Sequence, residues 1–234
     1  MSLDFEDAAA PVWSGSCSVL LLDLDGTLVD SAAAVLRGWQ DWARWAGVPA
    51  DEIPSVVHGR SAAATILHLL PDVSADELHK HIQRVLRIQE LDPEPAYPMA
   101  GAARLIEDLS PPQWAVVTGC SRGMAAARLA AGGLPTPSVL VTDEDVASGK
   151  PDPEGYLRAL WRLGVDAGDA IAVEDAPAGI EAARAAGIRS VAVTTTHARE
   201  SLTAADAVVT GLDAIRVFED AGRLRVALFG LDAG

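Results

Sequence analysis

The sequence predicts an α/β protein: a Rossmann-like, doubly wound parallel sheet that carries an inserted α-helical cap. Three observations predict it. Short, unbroken apolar runs recur along the chain, as in Val19–Leu22 and Trp114–Val117, the pattern of parallel strands buried on both faces. Segments of helical period separate these runs, so strand and helix alternate. Between the first run and the rest lies a block of some sixty residues with helical signals only. The chain has 234 residues, half of them apolar, enough to bury a sizeable core.

Taken in order, residues 1–17 mix Ala, Pro, Gly, Ser and acids and read as a loose lead-in. The first strand, 18–22, ends at Asp23. Within 31–92, Val35, Leu36, Trp39, Trp42 and Ala43 recur at helical spacing. A second helix spans 62–70 and stops at Pro71. Ser74 with Glu77 forms a capping box, and a third helix should follow to about Glu90. Asp92-Pro93-Glu94-Pro95 then breaks the chain. Beyond it come a helix at 102–109, a strand at Trp114–Val117, and a helix at 124–131 ending at Gly132-Gly133. A strand at 139–141 and a helix at Glu154–Leu163 follow. The pattern continues with a strand at 170–173, a helix at 178–186, strands at 190–193 and Ala207–Val209, and a late strand at 224–229. The domains expected are a core of 16–30 and 97–234 and a cap of 31–96.

The formal net charge is -15. Such a surface repels nucleic-acid backbones and anionic lipid, so neither is expected as a partner. No apolar run approaches the roughly 20 residues of a membrane span. The N-terminus carries no basic stretch followed by an apolar one. Two cysteines, Cys17 and Cys120, make neither a disulfide framework nor a zinc pattern. The protein is expected to be cytoplasmic, a monomer or weak homodimer.

Polar residues cluster just after the predicted strands, where α/β sheets bind ligands. Asp23-Leu24-Asp25-Gly26-Thr27 follows the first strand. An ionised Asp can attack phosphorus and a second can protonate the leaving oxygen; alone, the motif reads equally well as an Asx-turn. Thr118-Gly119-Cys120-Ser121 offers a hydroxyl and free backbone N–H groups before a helix, a phosphate cradle or a plain N-cap. Gly149-Lys150-Pro151 sets a lysine in a rigid turn, a cation for a phosphate dianion or, alone, a solvated surface charge. Glu174-Asp175 puts paired carboxylates at a strand end, suited to a hard cation such as Mg²⁺ or to capping the next helix. In combination these are a nucleophile, an acid, a cradle, a cation and metal ligands. A carboxylate and a phosphate repel by about 4 kcal/mol per charge pair at 4 Å and an effective dielectric near 20. A metal ion and a lysine cancel that repulsion.

Asp23-x-Asp25-Gly26-Thr27, Thr118, Lys150-Pro151 and Glu174-Asp175 resemble, in that order, the motifs of the haloacid dehalogenase superfamily in its phosphatase branch. The likeness spans roughly 18–210. It implies that Asp23 forms a phospho-aspartyl intermediate and that Asp25 is the acid and then the base. It implies that Thr118 and Gly119 bind phosphate and that Lys150 bridges it to Asp23. Mg²⁺ would be held by Asp23, the Asp25 carbonyl, Glu174 and Asp175. Within the branch, the surroundings of these motifs, with His58-Gly59-Arg60 in the cap, look like glycerol-phosphate and 2-deoxyglucose-6-phosphate phosphatases. His58 and Arg60 are the specificity candidates, and the substrate expected is a small phosphorylated metabolite, a sugar or polyol phosphate. Asp25 argues against a dehalogenase. A phosphonatase would need a cap lysine, and Lys80 is the only lysine between the first two motifs. A phosphomutase resembling β-phosphoglucomutase shares the whole catalytic set, and a non-catalytic binder on this fold is the remaining alternative. Gly119 departs from the Ser or Asn that many relatives carry there.

Overall fold

The computed structural model describes residues 10–53, 57, 62–90, 96–220 and 222–230. Its centre is a six-stranded sheet with all pairings parallel. Strand β2 (Val19–Leu22) lies between β5 (Trp114–Val117) and β7 (Ala170–Glu174). Beyond β5 sits β6 (Leu140–Val141), and beyond β7 sit β8 (Arg189–Val193) and β9 (Ala207–Val209). From β2 the chain builds first to one side, then returns to build the other. The point of reversal is the gap above β2, where open sheets bind ligands.

The apolar runs are unbroken because both faces are covered. Leu20, Leu22, Trp114, Val116, Ile171 and Val173 enter one core. Their neighbours Val19, Leu21, Ala115, Val117, Ala170 and Ala172 enter the other. Helices α4 (Ala102–Glu107) and α5 (Arg122–Ala131) cover the first face. Helices α6 (Glu154–Leu163) and α7 (Pro177–Ala185) cover the second.

The insertion leaves and rejoins the core through a short antiparallel pair, β3 (Val29–Asp30) with β4 (Tyr97–Pro98). Between them run α1 (Ala32–Ala46), α2 (Ala62–Leu69) and α3 (Ala75–Glu90). These helices bury Trp39, Trp42, Ile66 and Val85 in a cluster of their own. Trp39 meets Trp42 edge to face at 5.3 Å, a favoured aromatic geometry. The Ser74–Glu77 capping box is present: Ser74 Oγ donates to Glu77 Oε2 at 2.7 Å, and Glu77 N donates to Ser74 Oγ at 3.4 Å.

Two differences from the sequence reading concern the termini of the core. The loose lead-in contains a strand, β1 (Trp13–Cys17), antiparallel to β11 (Arg223–Leu228) with Trp13 opposite Leu228. Strand β10 (Ile215–Asp220) pairs with the other edge of β11. Only Cys17 is fully buried in β1, so the segment has little apolar pattern of its own. Its stability comes from a partner some two hundred residues away. Among the described residues no helix is long and apolar enough to cross a membrane.

Candidate active site

The loops leaving β2, β5, β7 and β8 meet at the carboxyl end of the sheet around a cavity of about 500 Å³. Asp23 directly follows β2, with its amide bonded to Val173 O at 3.0 Å. Glu174 is the last residue of β7, and Asp175 follows it. All three side chains are buried, and one oxygen from each lies within 4.8 Å of the others.

Lys150 lies over this cluster. Its ammonium donates to Asp23 Oδ1 at 2.5 Å, Glu174 Oε1 at 2.6 Å and Val117 O at 3.0 Å, which uses all three of its protons. Burial works against its charge, but Asp23 and Glu174 outweigh burial and hold its pKa well above the ordinary value. Burial, with Glu174 and Asp175 nearby, pushes the Asp23 carboxyl well up against the opposing pull of Lys150. Burial and Glu174 push Asp175 up to about 7.

Two glycines permit these close approaches. Gly26 turns the chain at φ +84°, and a Cβ there would lie 2.3 Å from Asp175 Oδ2. Gly179, in the first turn of α7, leaves room for Glu174: a Cβ would lie 2.0 Å from its carboxyl. An L-residue at either place would displace a carboxylate of the cluster.

Thr118 is buried at the end of β5, and its hydroxyl donates to Cys120 Sγ at 3.2 Å. Gly119 is exposed to the cavity with open space about it. Burial and the nearby Asp25 push the Cys120 thiol up to about 12, so it is an unreactive filler. His58 and Arg60 lie outside the described residues.

Several side chains at the site escaped the sequence reading. Tyr156, fully buried on α6, donates to Glu174 Oε1 at 2.6 Å. Thr196 Oγ1 donates to Asp175 Oδ2, and Thr195 Oγ1 donates to Gly26 O. The run Thr194-Thr195-Thr196 follows β8, so the strand-end rule that found the other motifs would also have found this one. Arg128 and Ser31 hold Asp25; no local pattern marks either.

The donor set fits a divalent cation. Three carboxylates face one ammonium, and burial with Glu174 nearby leaves Asp175 costly to ionise despite Lys150. All-oxygen ligands of this kind suit Mg²⁺ or a similar hard ion.

Such a sheet, with an aspartate beyond its central strand and a lysine-bridged acidic cluster beside it, defines a hydrolase site of the haloacid dehalogenase type. A family model for haloacid dehalogenase-like hydrolases matches residues 17–187, and the chain belongs to that family. Hexitol phosphatase A of Escherichia coli is 37% identical over 86% of this chain and 94% of its own. Glycerol-1-phosphate phosphohydrolase 2 of Saccharomyces cerevisiae is 30% identical over 84% of this chain and 83% of its own. Among solved structures, a putative β-phosphoglucomutase from Bacteroides vulgatus superposes with a TM-score of 0.69 at 28% identity, covering 84% of each chain.

Proposed function

We propose that the protein is a Mg²⁺-dependent phosphatase that hydrolyses a sugar or polyol phosphate through a phospho-aspartyl intermediate on Asp23. It is a phosphoric monoester hydrolase, as are its named phosphatase relatives. The observation that carries the mechanism is the Lys150 ammonium bonded at once to Asp23 and Glu174 inside the buried acidic cluster.

In this reading an Asp23 oxygen attacks phosphorus and the bond from phosphorus to the ester oxygen breaks. Asp25 gives its proton to that oxygen, which leaves as an alcohol. Asp25 then takes a proton from water as the water oxygen attacks the same phosphorus. The bond to Asp23 breaks, and inorganic phosphate leaves with both aspartates restored. The Thr118 hydroxyl and the Gly119 N–H hold phosphate oxygens, and Lys150 balances charge between them and Asp23. Asp23, Glu174, Asp175 and the Asp25 carbonyl would hold Mg²⁺, which would supply the positive charge that lets an anionic nucleophile meet an anionic ester.

The leaving group faces a wall of Val35, Trp39, Val85, Leu86 and Gln89 from α1 and α3. An apolar wall with a single amide suits an uncharged polyol or sugar, whose C–H faces pack on Trp39 while hydroxyls reach Gln89. The names of the relatives, a hexitol phosphatase and a glycerol-1-phosphate phosphohydrolase, point the same way. His58 and Arg60 remain the proposed cap-loop selectors.

The test is release of inorganic phosphate with Mg²⁺ from p-nitrophenyl phosphate and from a panel of polyol and sugar phosphates. The expected result is turnover that Asp23→Asn abolishes in a folded protein. Retained turnover in Asp23→Asn would refute the covalent mechanism. Isomerisation without phosphate release would instead favour the phosphomutase.

A further inference from the structure

Asp25 is held by two side chains that lie outside the four strand-end motifs. Ser31 Oγ donates to Asp25 Oδ1 at 2.6 Å, and Arg128 Nη1 donates to Asp25 Oδ2. Ser31 stands immediately before α1, where a serine ordinarily caps the helix with its hydroxyl. Here it makes no cap bond, because the hydroxyl is turned to Asp25. Arg128 belongs to the buried face of α5, beside Met124, Ala125 and Leu129. It is 8% exposed. A guanidinium buried there is costly unless paired, and its carboxylate partner is Asp25. Both Arg128 and Asp25 line the cavity that contains Asp23.

We propose that Arg128 is a positioning residue for the acid step: its N–H donated to Oδ2 fixes the Asp25 carboxyl at the cavity wall, so that the proton Asp25 carries on a remaining lone pair meets the ester oxygen of the leaving group. The inference rests on the reading of Asp25 as the general acid. Arg128 itself neither gains nor loses a proton. Asp25 sits on a tight turn, 27% exposed at its side chain, and needs lateral support to keep one place. The Asp25–Gly26–Thr27 backbone supplies none to the carboxyl, whereas one N–H from α5 and one hydroxyl from the start of α1 together fix both oxygens. The arrangement also ties the acid to both parts of the fold, since Arg128 comes from the core and Ser31 from the entrance to the helical insertion.

A leaving-group comparison tests this. An alkoxide needs a proton as it departs, whereas p-nitrophenolate does not. The value of kcat/KM reports events up to leaving-group departure, so later hydrolysis of the intermediate does not enter. The enzyme with Mg²⁺, Arg128→Met, Asp25→Asn and the double variant are each measured on glycerol 1-phosphate and on p-nitrophenyl phosphate. Arg128→Met should lower kcat/KM about 100-fold on the alkyl ester and less than about threefold on the aryl ester, the cost expected of a misplaced acid. Asp25→Asn should show the same split, and adding Arg128→Met to it should not widen it. Equal losses on both esters, or no loss, would overturn the proposal, the first showing a structural role. A wider split in the double variant would overturn it too, because Arg128 would then act on the substrate directly. No split in Asp25→Asn would instead sink the acid reading beneath it. Should Arg128→Met fail to fold, Arg128→Lys and Ser31→Ala carry the test. Each should show the split in the same direction and smaller, about tenfold, and an even loss in both would overturn the proposal.

Discussion

Removing one carboxylate from the acidic cluster should stabilise the metal-free protein, and the gain should grow with pH. Burial and Glu174 raise Asp175 from an ordinary 3.8 to about 7. Between those values the folded chain keeps a proton that the unfolded chain has lost. The unfolded state therefore binds fewer protons, and stability falls as pH rises through the window. The penalty is absent below pH 4 and complete above pH 7. One pKa unit is worth about 1.4 kcal/mol, so the full loss is about 4 kcal/mol. Asp175→Asn abolishes that titration. In EDTA, the difference in unfolding free energy between Asp175→Asn and the parent should be smallest below pH 4 and less than half developed at pH 5. It should then increase by about 2–3 kcal/mol toward pH 7.5, allowing for coupling to Asp23 and the lost Thr196 contact. Urea denaturation at a series of pH values, with both proteins in the same buffer, gives that difference and cancels the titration of the other carboxylates. Saturating Mg²⁺ should remove the slope from the parent and leave the variant nearly unchanged. Parallel pH curves for the two metal-free proteins would refute the electrostatic picture of the cluster.

Three further outcomes follow from the same geometry. Tyr156→Phe removes a 2.6 Å donor to buried Glu174; it should cost about 1.5–3 kcal/mol by urea unfolding and weaken Mg²⁺ binding about 10–100-fold by titration calorimetry. Gly179→Ala places a Cβ against the Glu174 carboxyl, while Gly119→Ala meets nothing within 4 Å. The first should lower Mg²⁺ affinity by about 10–100-fold, and the second should leave it unchanged. Cys120, with its thiol buried and pushed up to about 12, should resist iodoacetamide at pH 8 in the native protein and react only after unfolding.

The parts of the fold legible in the sequence were those encoded over short distances. Val19–Leu22, Trp114–Val117 and the Ser74–Glu77 box carry their own periodicity or capping chemistry, and the structure has each. Strand β1 depends on β11 for its register, so nothing within Trp13–Cys17 announces it. The site divides the same way. Asp23, Lys150, Glu174 and Asp175 stand at the ends of strands or in a Gly–Pro turn, and a parallel sheet gathers its strand ends on one edge. Arg128 stands inside a helix and reads there as a solvated charge. Its meaning emerges only when α5 is docked on the sheet and its inner face points to Asp25. Tyr156 likewise reads as a core aromatic until its hydroxyl is seen on Glu174.

An acidic protein that binds a phosphate ester must reverse its own field locally, and the charges at the site show in what order. Arg128 and Asp25 cancel each other. Fully ionised, three carboxylates against the Lys150 ammonium would leave a surplus of two negative charges around Asp23, and part of that surplus is held off by retained protons while no metal is bound. A phosphate dianion approaching that surplus meets repulsion of about 4 kcal/mol per charge pair at 4 Å and an effective dielectric near 20. A divalent cation brings the cluster to neutrality, after which Lys150 and the backbone N–H groups beyond β5 can attract the ester. Metal should therefore bind first, and substrate should bind weakly in its absence. Inorganic phosphate, a product, should show the same dependence: its dissociation constant should fall at least about 100-fold between EDTA and saturating Mg²⁺, the equivalent of about 2.7 kcal/mol. Equal phosphate affinity under both conditions would mean that Lys150 alone overcomes the surplus, and that the three carboxylates serve to hold the lysine rather than a cation.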